Sequence, residues 1–498
     1  MAETETQDQA YVDNGVKVVQ TDVDNKDGQV KCPKCGSTDI STNAATGQLR
    51  CNFCRFEFEP QKLEMETDIS KLSGTTIGSG AQDIVADTKD QITLKCSSCG
   101  AEVVIDTASA NQARCHWCRN TLSLNQQIPN GAIPDMVLAF KVKKDEAKKV
   151  IEDFVGKRKF YAHPKFRQEF TTNNIMGVYF PYMVVDLNAH SHLTGLGEHQ
   201  TRSYSEGSGE HRVTYYDADL YQVGRDFDLT IHGLSIESNK DRLDTTNKTK
   251  TNNIINSIMP FDVENSVKYD SNYLKGFTSE RRDSNITELT PIITERAKDI
   301  ARFSANASLK NYDRGVSWQS EQLDIKGQQW KAAYLPVWLY SYQEDKGDRK
   351  LLHYVAVNAR TKESMGSVPI YLPKLFLFAF LVELLGIFGF IKLDFDYDFL
   401  LLLVGPLYFF YIYTKYRNQN ARDQYETETK TNVTNLKTMD QFVEHRKRLR
   451  NSKIENQNNT TVRGASMNLK KKTGLGLDLD LKNFAADQLS SITDQFLK

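Results

Sequence analysis

Residues 32–54 read CPKCGSTDISTNAATGQLRCNFC and residues 96–118 read CSSCGAEVVIDTASANQARCHWC, two statements of one C-x2-C-x15-C-x2-C pattern. Between them they hold every cysteine of the chain: Cys32, Cys35, Cys51, Cys54, Cys96, Cys99, Cys115 and Cys118. Each cysteine of the first recurs 64 positions later in the second. The flanks recur as well, Lys31 with Lys95, Gly36 with Gly100, Arg50 with Arg114 and Arg55 with Arg119. A duplicated unit explains this better than coincidence.

The chemistry of the spacing is direct. Two residues between cysteines let a tight turn aim both sulfurs at one point, and two such knuckles complete a tetrahedral S4 site. Thiolates in that geometry select zinc, with iron the main competitor. The pattern therefore predicts two zinc ribbons, each holding one structural Zn2+. Four sulfurs leave no open position for a substrate water, so catalysis at the metal is not expected. Disulfides are the alternative, but they need an oxidising compartment, and the chain opens MAETETQDQA without a charged-then-apolar leader.

Working outward, 498 residues suggest about two to four domains. The net charge of −1 gives no global field that favours nucleic acid or an acidic partner. Residues 1–29, with seven acidic residues and two lysines, read as a disordered acidic tail. Residues 30–59 are the first ribbon, 60–92 a Gly- and Ser-containing linker, and 93–125 the second ribbon. Phe53 and Trp117 lie inside the second knuckles and are expected to cover the metal sites; stacking on a nucleic-acid base is the alternative.

Residues 133–370 read as an α+β domain. A charged amphipathic helix is expected over 145–160, with Ala147, Val150, Ile151, Phe154 and Val155 on one face. Strands are expected over 176–193 and 212–236 with a Gly- and Ser-rich loop at 195–209 between them, and over 331–342, 351–357 and 365–370. A second helix is expected over 288–309. Tyr179-Phe180-Pro181-Tyr182-Met183-Val184 echoes Tyr334-Leu335-Pro336-Val337-Trp338-Leu339, which reads as an internal repeat with its prolines at an edge or a bulge.

Against a mean hydropathy of −0.52, two apolar runs stand out at 375–391 and 399–413. Residues 373–416 are expected to form two transmembrane helices. Lys374 before the pair and Lys415, Arg417 and Arg422 after it place both termini in the cytoplasm by the positive-inside rule. Residues 417–498 read as a helical basic tail, in which Arg446, Lys447, Arg448 and Arg450 are candidates for nucleic acid or anionic lipid. A last amphipathic helix is expected over 484–497.

Other sites are weaker. His190, His192 and His199 stand close together, and strand alternation would put the first two on one face as a metal pair; an exposed polar strand face is the preferred reading. Glu383 is an ionisable residue inside the first apolar run, which points to a role or to pairing with the second run. No phosphate loop, H-E-x-x-H or G-x-S-x-G occurs, so no enzyme is expected.

The tandem CPKCG…CNFC and CSSCG…CHWC ribbons, the Y-[FL]-P-x-x-[LV] strands and the late apolar hairpin resemble uncharacterised bacterial membrane proteins with TFIIB-type zinc ribbons, sometimes labelled primosomal replication helicase-like. The resemblance covers most of the chain up to about residue 415 and implies zinc and a membrane anchor. The tail after Arg422 departs from it. The expected function is a non-enzymatic, membrane-anchored cytoplasmic adaptor or scaffold for a protein partner; the alternative is a membrane-tethered nucleic-acid binder.

Overall fold

The computed structural model describes residues 10–13, 16–19, 32–37, 40–42, 48–59, 63, 68–82, 91–95, 102–106, 113–115, 121–122, 127–128, 134–207, 213–239, 258–269, 271–274, 277–280, 282–346, 349–392, 403–416 and 429–450. The described residues fall into two compact units, one drawn from the ranges 1–190, 228–297 and 323–434, the other from 191–227, 298–322 and 435–450.

In the first unit the two echoing segments occupy equivalent places. Val178 and Tyr179 pair in parallel with Thr278 and Ser279, while Ala333 and Tyr334 pair in parallel with Met136 and Val137. Both paired registers end two residues before the proline. The carbonyls of Pro181 and Pro336 then accept the N–H groups of Ser238 and Ala359, at 3.0 and 3.1 Å. Both prolines lie in strands flanked on each side in the sheet order, so neither marks an edge strand. Instead, each short parallel neighbour stops where proline could no longer donate.

Both faces of these segments are buried. Tyr179, Tyr334, Trp338 and Tyr340 face one core, and Phe180, Tyr182, Leu335, Val337 and Leu339 the other. Burying each such side chain stabilises the unit by about 1.5–3 kcal/mol. On the first face Phe140 stacks on Phe277 at 4.2 Å and meets Trp338 edge-on at 5.0 Å. Helix α1 (Lys144–Gly156) covers this face with Ala147, Ile151 and Val155, spaced four apart. It ends at Gly156 and not at 160, because glycine supports a helix poorly. A short helix α2 (Pro164–Glu169) follows, opening on proline. Helix α3 (Ile286–Ala305) matches the second expected helix.

Several expectations are corrected here. Residues 10–13 and 16–19 are paired strands within the expected disordered tail, with Val18 and Val19 buried. The expected linker contains the strand Gly74–Gly78, which pairs in parallel with Val16–Val19 on one side and with residues 327–330 on the other. Gly327 is needed there: a Cβ would lie 2.2 Å from the Leu72 carbonyl. The β-branched residues of VKVV and GTTIG carry the strand signal that the acidic composition obscured.

Helix α4 (Leu372–Lys392) is long and apolar enough to cross a membrane; its best window has a mean hydropathy of 1.9 and is only 17% buried. Helix α5 (Val404–Tyr416) is a shorter apolar helix that packs antiparallel on it, with Phe376 stacked on Phe409 at 4.7 Å.

In the second unit, residues 191–206 of the strand Met176–Glu206 run through the positions, from 195 onward, expected to be a loop. Gly195 and Gly197 are packing glycines: a Cβ at Gly195 would lie 2.5 Å from the Ser317 carbonyl oxygen, and one at Gly197 2.7 Å from the Tyr312 ring. The expected helical tail is also corrected. Residues 430–450 form a strand paired with Val213–Glu237. Leu436, Met439, Phe442 and Val443 mimic a helical spacing, but cross-strand contacts decide the outcome. Phe442 packs edge-on against Tyr221 at 5.7 Å, and Asp440 pairs with the buried Arg225. The helix expected over 484–497 lies outside the described residues.

Candidate metal centre

The first ribbon builds its site from two identical knuckles. The carbonyl of Cys32 accepts the Gly36 N–H, and that of Cys51 accepts the Arg55 N–H, both at 2.8 Å. The N–H of Cys32 returns to Ser37 and that of Cys51 to Phe56, both at 2.9 Å. Gly36 and Arg55, one residue past each knuckle, both take a left-handed backbone, with φ of 70° and 59°. Glycine adopts this freely; arginine does so at a cost that the knuckle must hold.

A three-stranded sheet, Ile40–Thr42 with Leu49–Cys51 with Glu57–Phe58, holds the knuckles opposite each other. The Sγ atoms of Cys32 and Cys54 lie 3.5 Å apart and those of Cys35 and Cys51 3.6 Å apart. All four sulfurs fall within 4.8 Å of one another. A zinc–sulfur bond of about 2.3 Å requires tetrahedral edges of about 3.8 Å, so this donor set fits the ion. The Cys54 N–H, followed by neighbouring sulfur and backbone bonds, draws the Cys51 thiol down to about 6. At Cys35 the Ser37 N–H acts downward, but desolvation and the three neighbouring sulfurs carry the thiol up to about 12. Crowded thiols cannot all ionise alone; a dication at their centre would favour four thiolates together.

The duplication is visible in the backbone. Leu49 pairs with Phe58 and Arg50 with Glu57; 64 positions on, Ala113 pairs with Leu122 and Arg114 with Thr121. Cys115, like its counterpart Cys51, is fully buried. Cys96, Cys99 and Cys118 lie outside the described residues, as does Trp117.

Phe53 corrects one expectation. It is 82% exposed and does not cover the metal site. Arg50 lies 3.9 Å from Glu57, and Lys34 sits 5.9 Å from the Phe56 ring, so the basic residues around this tip are partly engaged.

His190 and His192 do share a strand, but each ring is turned to a carboxylate. His190 Nδ1 lies 3.0 Å from Asp228, and His192 Nδ1 lies 3.3 Å from Asp226. His199 Nδ1 donates to the Asn311 carbonyl at 2.8 Å. The Cys32, Cys35, Cys51 and Cys54 group is the one metal-compatible cluster among the described residues. Sequence reading missed the buried Asp186, which lies 2.7 Å from His232 and 2.7 Å from Lys331. Only its position on the apolar strand YFPYMVVDL hinted at it.

The basic cluster changes character on a strand. Alternation puts the neighbours Arg446 and Lys447 on opposite faces. Arg446 is already paired with Glu444 and Glu198. The side chains of Arg448 and Arg450 lie outside the described residues. Glu383, by contrast, acquires a partner: its carboxylate accepts the Gly405 N–H.

No protein-family model matches the chain, and neither does any curated protein or solved structure among those compared.

Proposed function

We propose that this chain is a membrane-anchored zinc-ribbon protein that recruits a protein partner and catalyses no reaction. It would carry two structural zinc ions, one in each ribbon, as the resemblance to TFIIB-type ribbon proteins implies. Helix α4 and the apolar run ending in α5 would make two spans with both termini cytoplasmic. The thirteen residues of α5 alone extend about 20 Å, so the second span would also draw on the apolar residues 399–403 before it.

The observation that carries the adaptor reading is Phe53. A closed S4 site offers no reactive position, while the large side chain at its rim faces water, the usual arrangement of a contact residue in an interface. Nucleic acid is the second reading, favoured by the same exposed ring, on which a base could stack. Salt separates the two. Full-length protein, solubilised in detergent, is co-purified from its host and washed at low and high salt. A protein that stays at high salt and is lost from Phe53→Ala supports the adaptor. Nucleic acid that leaves as salt rises overturns it in favour of the second reading.

A further inference from the structure

The base of the apolar helix pair is fixed to the corner between α1 and α2 by five hydrogen bonds. Lys374 Nζ donates to the Phe160 carbonyl at 2.8 Å and sits 3.7 Å from the Phe160 ring centroid. Arg158 Nε donates to the Lys415 carbonyl at 3.2 Å. The Tyr161 N–H donates to the Tyr416 hydroxyl at 3.0 Å, and the Tyr161 hydroxyl lies 2.6 Å from that of Tyr408. The Tyr371 N–H closes the joint on the Tyr161 carbonyl at 2.8 Å.

Immediately beyond this joint the helix surface becomes apolar and bare. Phe376, Leu377, Phe380, Leu381, Leu384 and Leu385 are all exposed. The corner itself reads KRKFYAHPKFRQ over 157–168, five cations without one acidic residue. Lys157, Lys159, Lys165 and Arg167 are exposed, and none of them forms an ion pair among the described residues. Phe160 is half exposed beside them. A rigid corner of unpaired cations and an aromatic ring, set one turn from a bare apolar helix, has the composition of a membrane–water boundary.

We propose that the α1–α2 corner is a seat for anionic lipid headgroups, with Lys157, Lys159, Lys165 and Arg167 facing phosphate and Phe160 lodged at the headgroup level. The inference rests on the membrane reading of α4. It goes further in assigning a lipid class and the residues that select it. These residues are a different group from the tail cluster that composition alone suggested.

The test uses the full chain in vesicles of phosphatidylcholine mixed with phosphatidylglycerol, first washed with alkaline carbonate. Spin-labelled phosphatidylglycerol and spin-labelled phosphatidylcholine are then compared for the fraction immobilised at the protein. The expected result is a several-fold preference for phosphatidylglycerol. That preference should fall to about onefold when Lys157, Lys159, Lys165 and Arg167 are all changed to glutamine. Neutralising Lys144, Lys148 and Lys149 on α1 should leave it unchanged. Release of the protein by carbonate overturns the membrane reading, and the proposal with it. Retention with a preference that survives the fourfold change, or that falls equally in the α1 variant, overturns the proposal alone. Loss of duplex DNA binding in the fourfold variant, with lipid preference intact, would reassign the corner to nucleic acid.

Discussion

The carboxylate of Glu383, midway along α4, accepts the backbone N–H of Gly405 in the first turn of α5 at 2.7 Å. A charged residue in an apolar helix thus supplies an acceptor for the open N-terminus of its neighbour. Gly405 is what lets the helices meet: a Cβ there would lie 2.6 Å from the Glu383 Cβ and 2.7 Å from the Ala379 carbonyl. Gly405→Ala should force the pair apart at a cost of about 1–3 kcal/mol, lowering the melting temperature in detergent. Glu383→Gln keeps an acceptor and should cost less than Glu383→Leu. Equal melting of all three variants and wild type would remove this contact from the account.

Zinc content is a second measurement. Full-length protein should carry two zinc ions by elemental analysis, and Cys51→Ser should carry one. Loss of both would show that the ribbons depend on each other. Because the ligands must be thiolates, a chelator should remove metal faster as the pH falls.

Asp186 gives a pH dependence. Burial acts to raise its pKa, but the bonds from His232 and Lys331 outweigh it and hold the carboxyl at about 2. The folded value lies below the unfolded one, so the stabilisation is present above about pH 4 and is lost as pH falls from about 4 towards 2. The shift corresponds to about 2 kcal/mol. Asp186→Asn should flatten that acid limb in urea titrations, while lowering stability near neutrality by about 3 kcal/mol. An unchanged limb would place the acid sensitivity elsewhere.

Arg225 is 1% exposed, and its guanidinium is shared between Asp440 and Ser308. Asp440→Ala leaves a buried cation half-satisfied, at a cost of about 3 kcal/mol. The strand 430–450 should then be cut faster by trypsin at Lys437. Slow cleavage equal to wild type would contradict the strand pairing.

How far the sequence was legible depended on whether a signal was local. Cys32, Cys35, Cys51 and Cys54 announced themselves because four sulfurs around one ion demand a fixed spacing. Helix α1 was legible from Ala147, Ile151 and Val155, since one stripe faces one core. The strand at 430–450 was not, because Leu436, Met439, Phe442 and Val443 keep a helical interval while Asp440 answers to Arg225, more than two hundred residues away. Gly195 failed for the same reason: its meaning lies in the Ser317 backbone across the sheet, not in its neighbours. Phe53 was misplaced because a knuckle fixes sulfurs and leaves its intervening side chain to chance.

The two copies of the ribbon repeat the same register 64 residues apart yet join the molecule differently. In the second copy, Glu102–Asp106 is laddered to Thr278–Glu280 and to Gln91–Lys95, so that strand belongs to the large sheet, while Ala113–Arg114 and Thr121–Leu122 pair apart from it. In the first, the three strands ladder only to one another among the described residues, and they meet the unit through side chains such as Ile40 and Leu49. Duplication has left one copy as masonry and the other as a fitting. Substitution at Phe53, whose side chain faces water, should alter the rim of the outer copy without disturbing a wall, so sequence change should be tolerated there first, while the inner copy keeps its form.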